Sequence, residues 1–126
     1  MARETDIITA DGLTLYQTIR RSSDGEYYNG ASFEVFNAGH WTSYATALNK
    51  TVLSSGLLAD YAANFPTLAA GQYQVEIYRQ AGGSPALGDG PPRWVSIIAW
   101  NGAAEVTVQN VITSNPAIVR NVSIAS

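Results

Sequence analysis

The chain has 126 residues, a formal net charge of −3 and only 13% charged residues, about half the roughly 25% of an ordinary soluble domain. It has no Cys and a single His, His40, which excludes a disulfide framework, a thiolate zinc site and a Cys nucleophile, and leaves any imidazole chemistry to one ring. The length fits one domain, and six Arg with one Lys, adjacent only at Arg20-Arg21, are too scattered to grip a phosphate backbone, so no nucleic-acid partner is expected.

In chain order, residues 1–12 carry no clear periodicity beyond Ile7-Ile8 and are expected to form an N-terminal arm ending at the turn Asp11-Gly12. Residues 13–20 alternate, with Leu13, Leu15, Gln17 and Ile19 on one face and Thr14, Tyr16, Thr18 and Arg20 on the other, which predicts a half-buried strand. Turn residues 22–25 follow. Tyr27-Tyr28 and residues 33–36 then predict a hairpin, with Asn29-Gly30 supplying the positive φ values of a type I′ turn. Residues 37–39 interrupt the pattern. Residues 41–48, rich in aromatic and Thr side chains, predict another strand, and 49–56 a loop.

Residues 57–65 fit two templates. Leu57, Leu58, Tyr61 and Phe65 make a helical stripe, whereas Leu57, Ala59, Tyr61, Ala63 and Phe65 make one strand face. Strand is favoured because its neighbours are strands, and Pro66 ends either form. In residues 72–80, Tyr73, Val75 and Ile77 are expected to face the core. Gln72, Gln74, Glu76, Tyr78 and Gln80 are expected to face solvent or a partner. A long Gly- and Pro-rich loop occupies 81–92. Residues 94–100 are apolar on both faces, which predicts a central strand with Ile97 near the core. After Asn101-Gly102, Ala104, Val106 and Val108 alternate with Glu105, Thr107 and Gln109. The fold expected is all-β: a single antiparallel β-sandwich or barrel of about seven to eight short strands over 13–109, flanked by a 1–12 arm and a 110–126 C-terminal arm.

The search for chemistry excludes more than it finds. No Gly-x-Ser-x-Gly elbow accompanies His40, so no catalytic residue is expected and the chain is not read as an enzyme. Asp24-Gly25-Glu26 and Asp89-Gly90 lack the acid density of a calcium loop, and no Gly-rich segment has a P-loop pattern, so neither metal nor cofactor is expected. No apolar run reaches the roughly 18 residues of a membrane helix, so no membrane partner is expected. The polar opening Met1 to Asp6 does not read as a signal peptide. Three Trp, seven Tyr and three Phe could supply a sugar-stacking platform, with Trp41, Tyr44, Tyr27 and Tyr28 as its rings. Core packing accounts for the same residues, since aromatics favour strands.

A partner-binding or structural role remains. Low charge and many Ser, Thr and Asn residues fit a surface that is largely covered. Arms that cannot bury themselves can add to a neighbour's sheet edge. The candidate interface residues are therefore Ile7, Ile8, Ile112, Ile118, Val122 and Ile124. The segments Gly12-Leu-Thr-Leu-Tyr-Gln17, Gln72-Tyr-Gln-Val-Glu-Ile-Tyr-Arg-Gln-Ala-Gly-Gly-Ser-Pro-Ala86 and Ile98-Ala-Trp-Asn-Gly-Ala-Ala-Glu105 resemble small β-sandwich virion structural proteins of tailed phages, over about residues 12–106. Among these, capsid decoration (cement) proteins fit the size and composition best.

The resemblance implies a virion protein made in the host cytoplasm. It would bind the outside of an assembled capsid and stabilise it, with the major capsid protein or other virion subunits as partners, as a homo-oligomer on the particle. It carries no catalytic residues. The alternative expectation is a tail- or baseplate-associated recognition domain that binds host surface saccharide through exposed aromatics.

Overall fold

A computed structural model describes residues 4–106. These form β1 (Thr5–Ala10), β2 (Leu15–Arg21), β3 (Tyr27–Tyr28), β4 (Phe33–Glu34), a helical turn α1 (Trp41–Tyr44), β5 (Thr46–Ala47), β6 (Asn49–Val52), β7 (Leu58–Ala63), β8 (Gly71–Arg79) and β9 (Trp94–Trp100). Two antiparallel sheets pack together. The smaller has the order β1-β7-β6 and the larger β4-β3-β2-β8-β9, with β5 pairing β2. The all-β sandwich read from the sequence is the fold observed.

The longest ladder joins β2 to β8, from Leu15↔Arg79 to Arg21↔Tyr73. Its inward positions follow the expected alternation: Leu15 and Ile19 from β2 meet Tyr73, Val75 and Ile77 from β8, and all five are buried. From the smaller sheet, Ala59, Tyr61 and Ala63 enter the same core, followed by Phe65. Residues 58–63 are thus a strand, as favoured. Polar groups inside the sandwich are paired, as burial in a low-dielectric core demands. Gln17 is only 1% exposed, and its Oε1 accepts a hydrogen bond from Thr5 Oγ1 of the opposite sheet. Tyr61 donates to Ala10 O at 2.8 Å, and its hydroxyl accepts from Leu13 N–H at 3.1 Å, which ties the β1–β2 connection to the core.

Several expectations are corrected. Residues 5–10 are not an arm: β1 pairs along its full length with β7, from Thr5↔Ala63 to Ala10↔Leu58. Without β1 that edge of β7 would be a row of unpaired backbone groups, and Thr5 and Ile7 supply the inward side chains that cover the core. Residues 49–52 are not loop but β6, which closes a hairpin onto β7.

Trp41–Tyr44 is a turn of helix rather than strand. The two rings lie three residues apart on one face and insert over Tyr16 and Tyr78, so tertiary packing overrides β propensity. That packing also buries the face of the larger sheet expected to meet solvent, including Tyr16, Thr18, Glu76 and Tyr78. The Asn29-Gly30 connection is not a type I′ turn. Among the described residues those at positive φ are all Gly, Gly30 among them at φ 96°, and Asn29 instead accepts from Ala31 and Ser32 N–H through its side chain. Finally, among the described residues β9 comes last in the order of the larger sheet, beside β8.

Candidate interaction surface

The interface residues expected from the N-terminal segment separate on β1. Ile7 turns inward and packs, partly buried, against the core. Ile8 turns outward and is 61% exposed. In the β1–β7 register Ile8 sits opposite Asp60, two residues from Ala10↔Leu58, so Ile8 and Leu58 share the outer face of the smaller sheet. Leu57, 77% exposed, precedes Leu58 in the β6–β7 connection. Where β1 ends, Lys50 Nζ of β6 bonds Asp11 Oδ1 at 2.8 Å, which lowers the Asp11 carboxyl and raises the Lys50 ammonium. Ile112, Ile118, Val122 and Ile124 lie outside the described residues.

Two further apolar patches escaped the sequence reading. On β9, Val95 and Ile97 are about half exposed (53% and 50%) on the outer face, opposite Glu76 and Gln74 of β8. Two-sided apolarity reads as a central strand in one dimension, whereas among the described residues β9 is the last strand of its sheet. Val35 and Phe36 form the third patch, with Phe36 5.3 Å from Tyr27 and 6.2 Å from Trp41 between ring centroids.

Behind Phe36 the aromatic rings are structural. Tyr16 stacks on Tyr78 at 5.4 Å, and Trp41 meets Tyr78 edge-on at 5.1 Å. Trp41 Nε1–H donates to Tyr16 OH at 3.0 Å, and Tyr16 OH donates to Asp89 at 2.8 Å, which pins the long 81–92 connection. Burial first, then the Asp89 carboxylate, push the Tyr16 hydroxyl up to about 12. Trp41 and Tyr44, expected as platform rings, are therefore buried and present no open face to a sugar.

The strongest polar node is Glu34. Its carboxylate accepts from Tyr44 OH, shares a 2.8 Å hydrogen bond with His40 Nδ1, and accepts from Asn29 Nδ2 at 2.9 Å. These bonds, Tyr44 first, hold the carboxyl down at about 2. The node joins the β3–β4 hairpin to the α1 turn. A carboxylate orienting an imidazole is also half of a hydrolytic triad, but here the carboxylate is shared among three donors that fasten a loop. No group of three or more His, Cys, Asp or Glu residues able to hold a metal ion occurs among the described residues. Comparison with protein-family models, with curated proteins and with solved structures finds no match.

Proposed function

We propose that the chain is a structural phage virion protein that binds the outside of an assembled capsid and stabilises it. The observation that carries this reading is the exposed Ile8 and Leu58 pair on the outer face of the smaller sheet, with exposed Leu57 next to Leu58 in the chain, in a chain with few charged residues to keep such a face solvated. Contiguous exposed apolar residues on a low-charge surface favour a protein partner. The resemblance of the strand segments to small tailed-phage virion proteins names the partner class: the major capsid protein or a neighbouring virion subunit. The chain would act by mass action, since a ligand that binds only the assembled shell lowers its free energy by RT ln(1 + [L]/Kd) per site. Shell symmetry favours an oligomer on the particle.

The test uses undecorated shells of the encoding phage. The chain should co-sediment with them saturably and raise the temperature at which they come apart. Ile8→Asp with Leu57→Asp should weaken co-sedimentation at least tenfold while leaving the circular dichroism spectrum unchanged. Absence of wild-type binding would overturn the reading.

A tail- or baseplate-associated saccharide-binding module is the second reading. It rests on Phe36, a partly exposed ring on the segment that also carries Glu34 and His40. A reproducible glycan-array signal lost in Phe36→Ala would place it first.

A further inference from the structure

The loop between β3 and β4 carries a second inference, independent of the virion reading. Asn29 is followed by Gly30, whose missing Cβ leaves the next backbone nitrogen open to the Asn29 side-chain amide. Gly30 is exposed. Asn29 Oδ1 accepts from Ala31 N–H at 3.0 Å and from Ser32 N–H at 2.9 Å, while Asn29 Nδ2 donates to Glu34 Oε1 at 2.9 Å. The amide is thus held at both ends.

These contacts bear on one covalent reaction. Gly30 N loses its proton to water and attacks Asn29 Cγ, closing a succinimide ring. The Cγ–Nδ2 bond breaks, and Nδ2 takes a proton from water and leaves as ammonia. A water molecule then opens the ring at either carbonyl and leaves aspartate or isoaspartate, with no oxidant or reductant needed. The two donors on Oδ1 favour the addition, because that oxygen takes up negative charge. Glu34 opposes it in two ways. Its charge-assisted hydrogen bond stabilises the intact amide and is lost when Nδ2 departs. Its negative charge also touches the group that must become anionic, and the carboxyl, held down at about 2, stays ionised through the neutral range.

The turn after β9 repeats the frame. Asn101 Oδ1 accepts from Ala103 and Ala104 N–H, both at 2.8 Å, and Gly102 follows at φ 101°. Five residues after Asn29 stands Glu34, and five after Asn101 stands Val106. The Glu34 contact therefore distinguishes the first loop.

We propose that Asn29 is a latent deamidation site held shut by Glu34, and that it converts when the contacts joining the β3–β4 hairpin to the α1 turn open. Conversion replaces the Nδ2 donor with a second carboxylate against Glu34, so those contacts cannot close again in the same form. The hairpin then has a one-way release from α1.

Peptide mapping of the full chain after warm, mildly alkaline incubation tests it. Asn29 should convert roughly tenfold or more slower in the folded wild type than in the same chain unfolded in urea, and Glu34→Ala should remove most of that protection. Glu34→Gln, which fills the space without the charge, should also convert faster than the wild type, and it carries the test if Glu34→Ala loses the wild-type circular dichroism spectrum. Asn101 is the internal reference, and its rate should not respond to either variant. His40→Ala takes a different partner from Glu34 and should leave the Asn29 rate near that of the wild type. Wild-type conversion at the unfolded rate, no acceleration in the Glu34 variants, or equal acceleration in His40→Ala overturns the proposal. Asn29→Asp, one conversion product, should melt at a lower temperature than the wild type, and an unchanged melting temperature overturns the one-way release.

Discussion

At the scale of single residues, what matters most is where polar groups find partners. Gln17 reads in the sequence as a misfit on an apolar strand face, and it is tolerated because Thr5 of the other sheet meets its side chain. Glu34 shows the same rule at the surface, where one carboxylate fastens a hairpin to a turn. Its titration makes a pH prediction. The folded carboxyl lies at about 2, below its ordinary 4.5, so its contribution to stability is whole above the ordinary value and is lost as pH falls through about 4.5 toward 2. Thermal melts between pH 6 and pH 2 should therefore show a shallower acid-side decline in Glu34→Gln than in the wild type. Parallel declines would mean that other carboxylates carry the acid sensitivity.

At the scale of elements, a strand's neighbours decide what its sequence means. β8 behaves as its alternation predicts on the inner face, so Ile77→Ala should leave a core cavity and cost about 2–5 kcal/mol. Ile8→Ala on outward-facing β1 should stay within about 0.5 kcal/mol. Denaturant midpoints separate the two, and similar costs would mean that the inner and outer faces have been misassigned. On its other face β8 departs from the reading, because Glu76 and Tyr78 lie under the α1 turn. Nothing local in Gln74, Glu76 or Tyr78 announces that cover; it comes from residues more than thirty positions earlier in the chain. The Trp41-to-Tyr44 spacing of three was the available sign of a helical face, and the aromatic and Thr content outweighed it.

At the scale of the whole molecule, the start of the chain completes the smaller sheet. The first segment is part of the sandwich, since β1 contributes an edge to β7 and Thr5 and Ile7 to the interior. Deleting residues 1–10 should expose the core and abolish cooperative unfolding in calorimetry. Deleting residues 112–126 leaves every residue of β1 to β9 in the chain, so the melting temperature should change little while binding to assembled shells falls. A truncated 1–111 chain that unfolds would place the C-terminal residues within the sandwich's own core. One that still binds shells at wild-type affinity would leave the outer face of the smaller sheet as the anchor.

Composition and two-residue alternation were sufficient for the all-β class and for the inward set Leu15, Ile19, Tyr73, Val75 and Ile77, because backbone pleating makes face assignment a local property; the strand at 58–63 fitted a helical stripe as well and was favoured by its neighbours. The absence of Cys and the scarcity of Lys also narrowed the chemistry before any fold was known. Of the proposed interface, Ile8 was legible as an apolar residue with no periodic role, but its separation from Ile7 was not, because only the β1–β7 register turns one outward and the other inward. Likewise Val95 and Ile97 are exposed because β9 comes last in the sheet order, and Trp41 and Tyr44 are buried because they close over Tyr16 and Tyr78. Each of these outcomes depends on which distant segment arrives alongside, and pairing between segments far apart in sequence is a property of the assembled sheets.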